Sequence, residues 1–378
     1  MQESPKVFAD YHHGGAARGQ LLVFDRLNYE VYFGGVQFTD RVNNEFGIRE
    51  GTNSRGDWLP CLPGWLIGMG GVPDYLLDDD GTYPKIIDFD EFLAIDWDIF
   101  LCTRIETQKV FKWLKEVHPN GKDIRVIGVT GNDATVFDWD FIKNLMASDE
   151  ATYRLAPWDI NKIHYSQEMG FQFQNDEFVP VDEKSLKTVT CFVNCWPHFD
   201  EPWQWGKDNN LNQGKCPHCD QPVHPSAFQE PVQPYSIWKG AEKLLEGYTF
   251  NDYGIGCKIG IKPEIQLPVE YHSGALTIHM KTYDGYGFSM LQAIACGRPV
   301  VVPYRFHRYR TAGRYLIPNL TCFESTWDAR ALAHVIGYVT ENVDRANHYA
   351  EACWKASKNL FNWEHEAFRV GEFLRRLI

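Results

Sequence analysis

The sequence predicts an α/β protein of two domains, and three stretches carry that prediction. Short apolar strands alternate with helical segments through the N-terminal half. A fresh strand, Thr188-Val-Thr-Cys-Phe-Val-Asn-Cys195, begins after a polar stretch. Residues 283–303 then read as a Gly-rich loop, a helix and a buried strand in direct succession. Strands alternating with helices favour parallel sheets covered on both faces.

In the first half, Lys6 to Ala9 predicts an opening strand. His12-His13-Gly14-Gly15 is a Gly-rich turn into a helix over Gln20 to Leu27, and Tyr29 to Phe33 returns as a strand. Trp97 to Cys102 and Ile124 to Thr130 predict two more strands around a helix from Thr107 to Val117. Residues 37–90, rich in Gly, Pro and Asp, read as a large irregular insertion. Loops that follow parallel strands collect at one edge of the sheet, which makes them candidates for ligand contact. Gly14 and Gly15 permit close backbone approach. His12 or His13 titrates near neutrality and suits a proton shuttle, the alternative being a turn with exposed histidines. Asn132 and Asp133, after the Ile124 to Thr130 strand, either bind hydroxyls or cap the next helix. Ser148-Asp149-Glu150 carries the same two readings.

Asn175 to Lys187 is polar and irregular, and is the best linker in the chain. It divides an N-terminal domain, 1–180, from a second domain, 188–360, and a closing segment at 361–378. Within the second domain, Trp238-Lys239-Gly240-Ala241 opens into helical sequence. Gly285 and Gly287 flank Tyr286 in a flexible loop, Phe288 to Cys296 has helical composition, and Gly297 stands where a helix end wants positive φ. Val300 to Val302 is a β-branched run suited to a strand covered on both faces. A loop feeding a helix N-terminus makes an anion site, since unpaired N–H groups point at the guest. Trp327 to Ile336 and Ala367 to Leu377 predict the last helices.

Two further clusters stand out. Cys216-Pro-His218-Cys219, with His224 just after, has the shape of a zinc knuckle, since two thiolates at that spacing bind one edge of a tetrahedral ion. Cys191 and Cys195 share a strand face about 13 Å apart, too far for both to join one ion. Cys195, His198 and His224 are therefore the better companions, in a structural site stapling an insertion at 196–234. The alternative is a reduced Cys-x-x-Cys turn. Residues 304–314 carry four arginines interleaved with aromatic rings, a pattern suited to a pyrophosphate or a nucleic-acid strand, or else a solvated loop.

The chain has 378 residues, enough for two full cores, and 44% hydrophobic with 15% aromatic content excludes disorder. No apolar run approaches the roughly 20 residues that span a bilayer, and the N-terminus lacks a signal-peptide shape. Ten cysteines in that setting point to a reducing compartment, with the cytoplasm as the default. A net charge of −13 weighs against nonspecific nucleic-acid binding.

The loop at 284–287, the helix behind it and the following Ala-Cys-Gly-x-Pro-Val-Val run resemble the donor motif of GT-B glycosyltransferases, especially the large retaining family with a Glu-x7-Glu pattern. In that family one Glu opens the loop, and a second, eight positions on, holds the donor ribose. Here Asp284 and Gln292 stand at those positions, so both acids are altered. The resemblance is clear over about 235–378 and architectural before that. It implies two Rossmann-like domains facing a cleft, with a final helix crossing back to the first domain. It assigns Gly285, Tyr286, Gly287, Phe288 and Ser289 to the donor loop, Gln292 to the ribose and Asp284 to a sugar hydroxyl. Lys239 fits the donor-phosphate lysine or is an ordinary helix lysine. Lys281, Arg305 and the Gly14–Gly15 turn are further donor contacts, and His13 is the candidate base. The family's Gly-Arg pair is replaced by Asn194-Cys195. The implied activity is transfer of a hexosyl group from a nucleotide-sugar to an acceptor hydroxyl, without a catalytic metal and with retention. Transfer to a hydroxymethylated DNA base, a noncatalytic zinc-stapled binding protein and a nucleotide-sugar epimerase are the alternatives.

Overall fold

A computed structural model describes residues 3–9, 21, 23–46, 85–102, 107–130, 137–148, 150–165, 173–195, 234–255, 257–262, 266–279, 287–304, 306 and 311–378. The chain divides into two compact units, one of Met1–Met169 with Trp363–Ile378 and one of Gly170–Asn362.

The first unit is a seven-stranded sheet of β1 (Lys6–Ala9), β2 (Glu30–Gly34), β3 (Lys85–Ile87), β4 (Ile99–Cys102), β5 (Arg125–Thr130), β6 (Asn144–Ala147) and β7 (Asn161–His164). The order is β3-β2-β1-β4-β5-β6-β7 and every pairing is parallel. Strand residues alternate between two cores, as the period of two demands. Val7, Val31, Ile99 and Leu101 pack on one side with Val370, Phe373 and Leu374 of the Trp363–Arg375 helix. Phe8, Tyr32 and Phe100 pack on the other with Phe38, Phe92 and Phe111.

Residues 37–90 are more regular than their composition predicts. Val36–Phe46 is a helix that buries Phe38 and Val42, four positions apart on one face. Lys85–Ile87 forms β3, and Asp88 caps the Phe89–Ala94 helix by accepting a hydrogen bond from Glu91 N. The polar residues between Phe38 and Val42 mask the helical period. Residues 47–84 lie outside the described residues.

The second unit is a five-stranded parallel sheet of β8 (Thr188–Cys195), β9 (Thr249–Ile255), β10 (Leu276–Ile278), β11 (Val300–Pro303) and β12 (Cys322–Ser325), in the order β12-β11-β10-β8-β9. Helices Pro234–Leu244 and Ala329–Val339 lie against each other, and Gly240 is small because a Cβ there would sit 2.6 Å from Ala329 Cβ. An 18-residue helix, Val343–Leu360, starts at Asn342, whose Oδ1 accepts from Arg345 N at 2.9 Å. The sequence reading does not resolve this helix from its neighbours.

The polar segment expected to be a linker is packed into the second unit. Arg298, fully buried, donates from Nε to Gly274 O and from Nη1 to Val179 O, each at 2.9 Å. Val181 exchanges backbone bonds with the Asn347 side chain at 2.8 and 2.9 Å, and Trp354 Nε1 donates to Asn175 O at 3.1 Å. The division between units therefore falls near residue 170 rather than 180. Among the described residues no helix is long and apolar enough to cross a membrane.

Candidate functional site

In open parallel sheets, ligands bind beyond the carboxyl ends of the strands where the strand order reverses. The reversal in the second unit lies between β8 and β10. β10 ends at Ile278, and His279 follows, buried, with its N–H on Val301 O at 2.8 Å. The chain then passes through 280–286, outside the described residues, and re-enters at Gly287.

Gly287 starts the Phe288–Ala295 helix in the left-handed conformation, φ 59° and ψ 57°. Its carbonyl accepts from Met290 N at 2.8 Å and Leu291 N at 3.2 Å. A side chain at that φ is strained, which is why glycine stands there. Behind it the helix is apolar nearly all round, with Met290, Leu291, Ala293, Ile294 and Ala295 buried, as expected for a helix enclosed by its domain. Gly297, φ 72°, ends it, with Gly297 N on Ile294 O and Arg298 N on Ala293 O. That pair of bonds satisfies carbonyls the helix would otherwise leave open.

Gln292 is the buried polar residue of this helix. The hydroxyl of Tyr271, from the Leu267–His272 helix, donates to Gln292 Oε1 at 2.9 Å. Tyr271 packs on Phe192 of β8 at 4.2 Å, and Phe192 stacks on Tyr253 of β9 at 4.4 Å. Tyr253 donates to Glu270 Oε2 at 2.7 Å, and Lys262 pairs with the same carboxylate at 3.1 Å. Burial pushes both tyrosine hydroxyls above their ordinary pKa, so both keep their protons at neutral pH. Separately, at the carboxyl ends of β10 and β11, His279, Pro303, Ser325, Thr326 and Trp327 border a space of about 20 Å³, room for one water molecule.

Lys239 lies within the Pro234–Leu244 helix rather than at its start. Its ammonium is ion-paired with Glu242, and that hydrogen bond, ahead of any other influence, holds its pKa above the ordinary lysine value. Arg298 is pushed down to about 10 by burial, and His272 to about 4, by burial first and then by the nearby Arg298.

Of the residues the sequence selects, Gly287, Phe288, Ser289 and Gln292 share one helix and its first residue. Lys281, Asp284, Gly285, Tyr286 and Arg305 lie outside the described residues, as do His12, His13, Gly14, Gly15, Asn132 and Asp133. β1 itself ends at Ala9, at the strand-order reversal of the first sheet between β1 and β4. Ser148 is buried and joins the ends of two strands, its hydroxyl donating to Thr130 O. Cys216, Cys219 and His224 lie outside the described residues, and Cys195 ends β8. Cys191 is buried in the sheet core. Among the described residues no group of His, Cys, Asp and Glu is placed to hold a metal. Tyr271 and His272 belong to no sequence motif, Arg298 stands at the unspecified position of the Ala-Cys-Gly-x-Pro-Val-Val run, and only the fold reveals their contacts.

No protein-family profile and no curated protein matches this chain. Solved structures do. A glycosyltransferase from Rickettsia africae ESF-5 superposes with a TM-score of 0.58 at 14% identity, over 100% of this chain and 99% of that one. Sucrose-phosphate synthase from Thermosynechococcus elongatus gives 0.56 at 13%, covering 99% of each chain. Anabaena HepE, solved with UDP-glucose, gives 0.56 at 12%, over 98% and 99%. The two Rossmann-like units are thus those of the GT-B fold.

Proposed function

We propose that the protein is a glycosyltransferase that moves a sugar from a nucleoside diphosphate to an acceptor hydroxyl. The observation that carries this reading is the left-handed Gly287 opening a buried helix beside the strand-order reversal, with Asp284 and Gln292 at the donor-motif spacing. Structural likeness to HepE, crystallised with UDP-glucose, supports a uridine nucleotide as the first donor to try.

In the reaction the bond between the sugar's anomeric carbon and the diphosphate oxygen breaks, and the acceptor oxygen bonds to that carbon. Negative charge grows on the departing diphosphate. The N–H groups of Gly285 to Gly287 and the start of the helix meet it, assisted by Lys281 and Arg305. Lys239 joins them only by exchanging Glu242 for phosphate. Gln292 contacts the ribose, Asp284 a sugar hydroxyl, and His13 takes the acceptor proton. Basic groups and amides do the work a divalent ion does elsewhere, and the motif favours retention at the anomeric carbon. A structural zinc on Cys216, Cys219, Cys195 and His224 belongs to the 196–234 insertion and takes no part in the chemistry. A net charge of −13 weighs against a modified DNA base as the acceptor.

The test is thermal unfolding with UDP, GDP, ADP and their glucose conjugates, followed by release of nucleoside diphosphate. A ligand bound only by the folded chain raises its apparent stability. A shift with one nucleotide, together with slow hydrolysis of its sugar conjugate, supports an enzyme. A shift without hydrolysis or transfer favours a noncatalytic binding protein, and no shift at all refutes the donor site.

A further inference from the structure

We propose that Tyr271 is a positioning residue that turns the Gln292 amide so that its N–H₂ end faces the donor ribose, making a ribose hydroxyl the acceptor in that contact. The inference rests on the glycosyltransferase reading and specifies how its nucleotide is recognised.

The argument begins at the phenol. Tyr271 is 1% exposed, held between Phe192, at 4.2 Å, and Phe173, edge-on at 6.4 Å. Among the described residues its hydroxyl has one hydrogen-bond partner, Gln292 Oε1 at 2.9 Å. A phenol carries a single O–H donor. With the amide reversed, Nε2 would donate to the phenol oxygen and the phenolic proton would be buried without an acceptor, which is the costlier arrangement. The amide oxygen is therefore committed to Tyr271. Burial raises the phenol's pKa, so the proton that fixes this orientation stays in place.

What remains of Gln292 is a pair of N–H donors on one arm of the amide and the second lone pair of Oε1 on the arm that meets Tyr271, and among the described residues neither N–H is taken. Gln292 stands one helical turn beyond Phe288, on the helix that opens beside the strand-order reversal. A carboxylate at 292 would offer the ligand only acceptor oxygens. Here the arm of the amide turned away from Tyr271 carries only donors, so the group it meets must supply lone pairs. A ribose hydroxyl does, and a deoxy carbon does not. Phe192 of β8 backs the phenol and is itself stacked on Tyr253 of the neighbouring β9, which gives the amide a rigid support rather than a loop.

UDP, GDP and ADP are each titrated calorimetrically into the unaltered chain, Tyr271→Phe, Gln292→Leu and the double variant. The tightest-bound nucleotide is then repeated in its 2′-deoxy and 3′-deoxy forms. The expected result is a loss of about tenfold in affinity for each single variant, the size of one hydrogen bond. The double variant is expected to be no weaker than Gln292→Leu, because Tyr271 acts through the amide. One deoxy nucleotide is expected to bind all four proteins equally. Unchanged ribonucleotide affinity in Tyr271→Phe, losses that multiply in the double variant, or equal losses with both deoxy forms would each overturn the inference and leave the glycosyltransferase reading standing. If none of the three nucleotides binds the unaltered chain, that reading falls and the inference falls with it.

Discussion

Arg298 offers the sharpest test of how the second unit is held together. It is fully buried, and its good hydrogen bonds go to two backbone carbonyls, Gly274 O and Val179 O, rather than to a carboxylate. Burial lowers its pKa from 12.5 to about 10. At about 1.4 kcal/mol per unit, keeping the charge costs on the order of 3 kcal/mol. Each hydrogen bond from a charged donor returns about 1.5–3 kcal/mol, so two return about 3–6. Replacing Arg298 with Met keeps most of the volume, removes the charge and strands both carbonyls. Those two contributions differ by about 0–3 kcal/mol, and the stranded carbonyls move the expected loss to the upper end of that range, still below the 3–5 or so expected from breaking a buried ion pair. Arg298→Ala adds an unfilled space and is expected to lose about 2 kcal/mol more. Urea unfolding supplies the totals, and amide hydrogen exchange supplies the location. Protection is expected to fall first in residues 173–182, where Val179 and Asn175 are pinned. An Arg298→Met chain as stable as the parent, with unchanged exchange at 173–182, would refute the reasoning.

Three further outcomes are expected. His272 has its pKa lowered from 6.5 to about 4, chiefly by burial, so the unfolded chain takes up its proton first as pH falls. The stability this residue contributes is complete above pH 6.5 and is lost between 6.5 and 4. The full shift corresponds to about 3.4 kcal/mol, discounted to about 2 because the ring is partly exposed. Denaturant unfolding of His272→Gln should therefore show a shallower acid slope than the parent over that window, and parallel slopes would contradict it. Gly287→Ala forces an L-residue into the left-handed region, at about 1–2 kcal/mol, and brings a Cβ within 2.1 Å of Met290 Cε. A Tm drop of roughly 3–8 °C is expected, with Gly287→Asn milder than Gly287→Val, and equal drops for Asn and Val would contradict it. Metal analysis of the purified chain is expected to find about one zinc, lost in the Cys216→Ser/Cys219→Ser double variant, whereas metal-free protein removes the staple from the 196–234 insertion.

What the sequence discloses is local. β1 and the β5 strand are legible because their apolar runs are short, β-branched or aromatic and bounded by polar residues. The left-handed Gly297 is legible because a helical stretch runs straight into glycine and then proline. The helix at Val36–Phe46 is not, because its two buried anchors are separated by polar residues that read as loop. Glycine alone is ambiguous in another way. Gly287 answers a backbone demand, with φ at 59°, while Gly240 answers a packing demand, with Ala329 against it. Composition offers no means of telling these apart, since both needs select the same residue.

The less legible part of the second unit is the set of contacts its elements make with one another. Tyr271 meets Gln292 across 21 positions, and Arg298 meets Val179 across 119. Neither pair has a spacing that any helix or strand period would mark, because each joins elements that only the sheet order brings together. A motif can locate Gln292 on its helix, but the direction its amide faces is decided by a phenol on another element. The same substitution, Glu to Gln, would leave the amide free to turn if residue 271 lacked a hydroxyl. The orientation of the amide at position 292 is thus a property of the pair, and a sequence comparison confined to the motif does not disclose it.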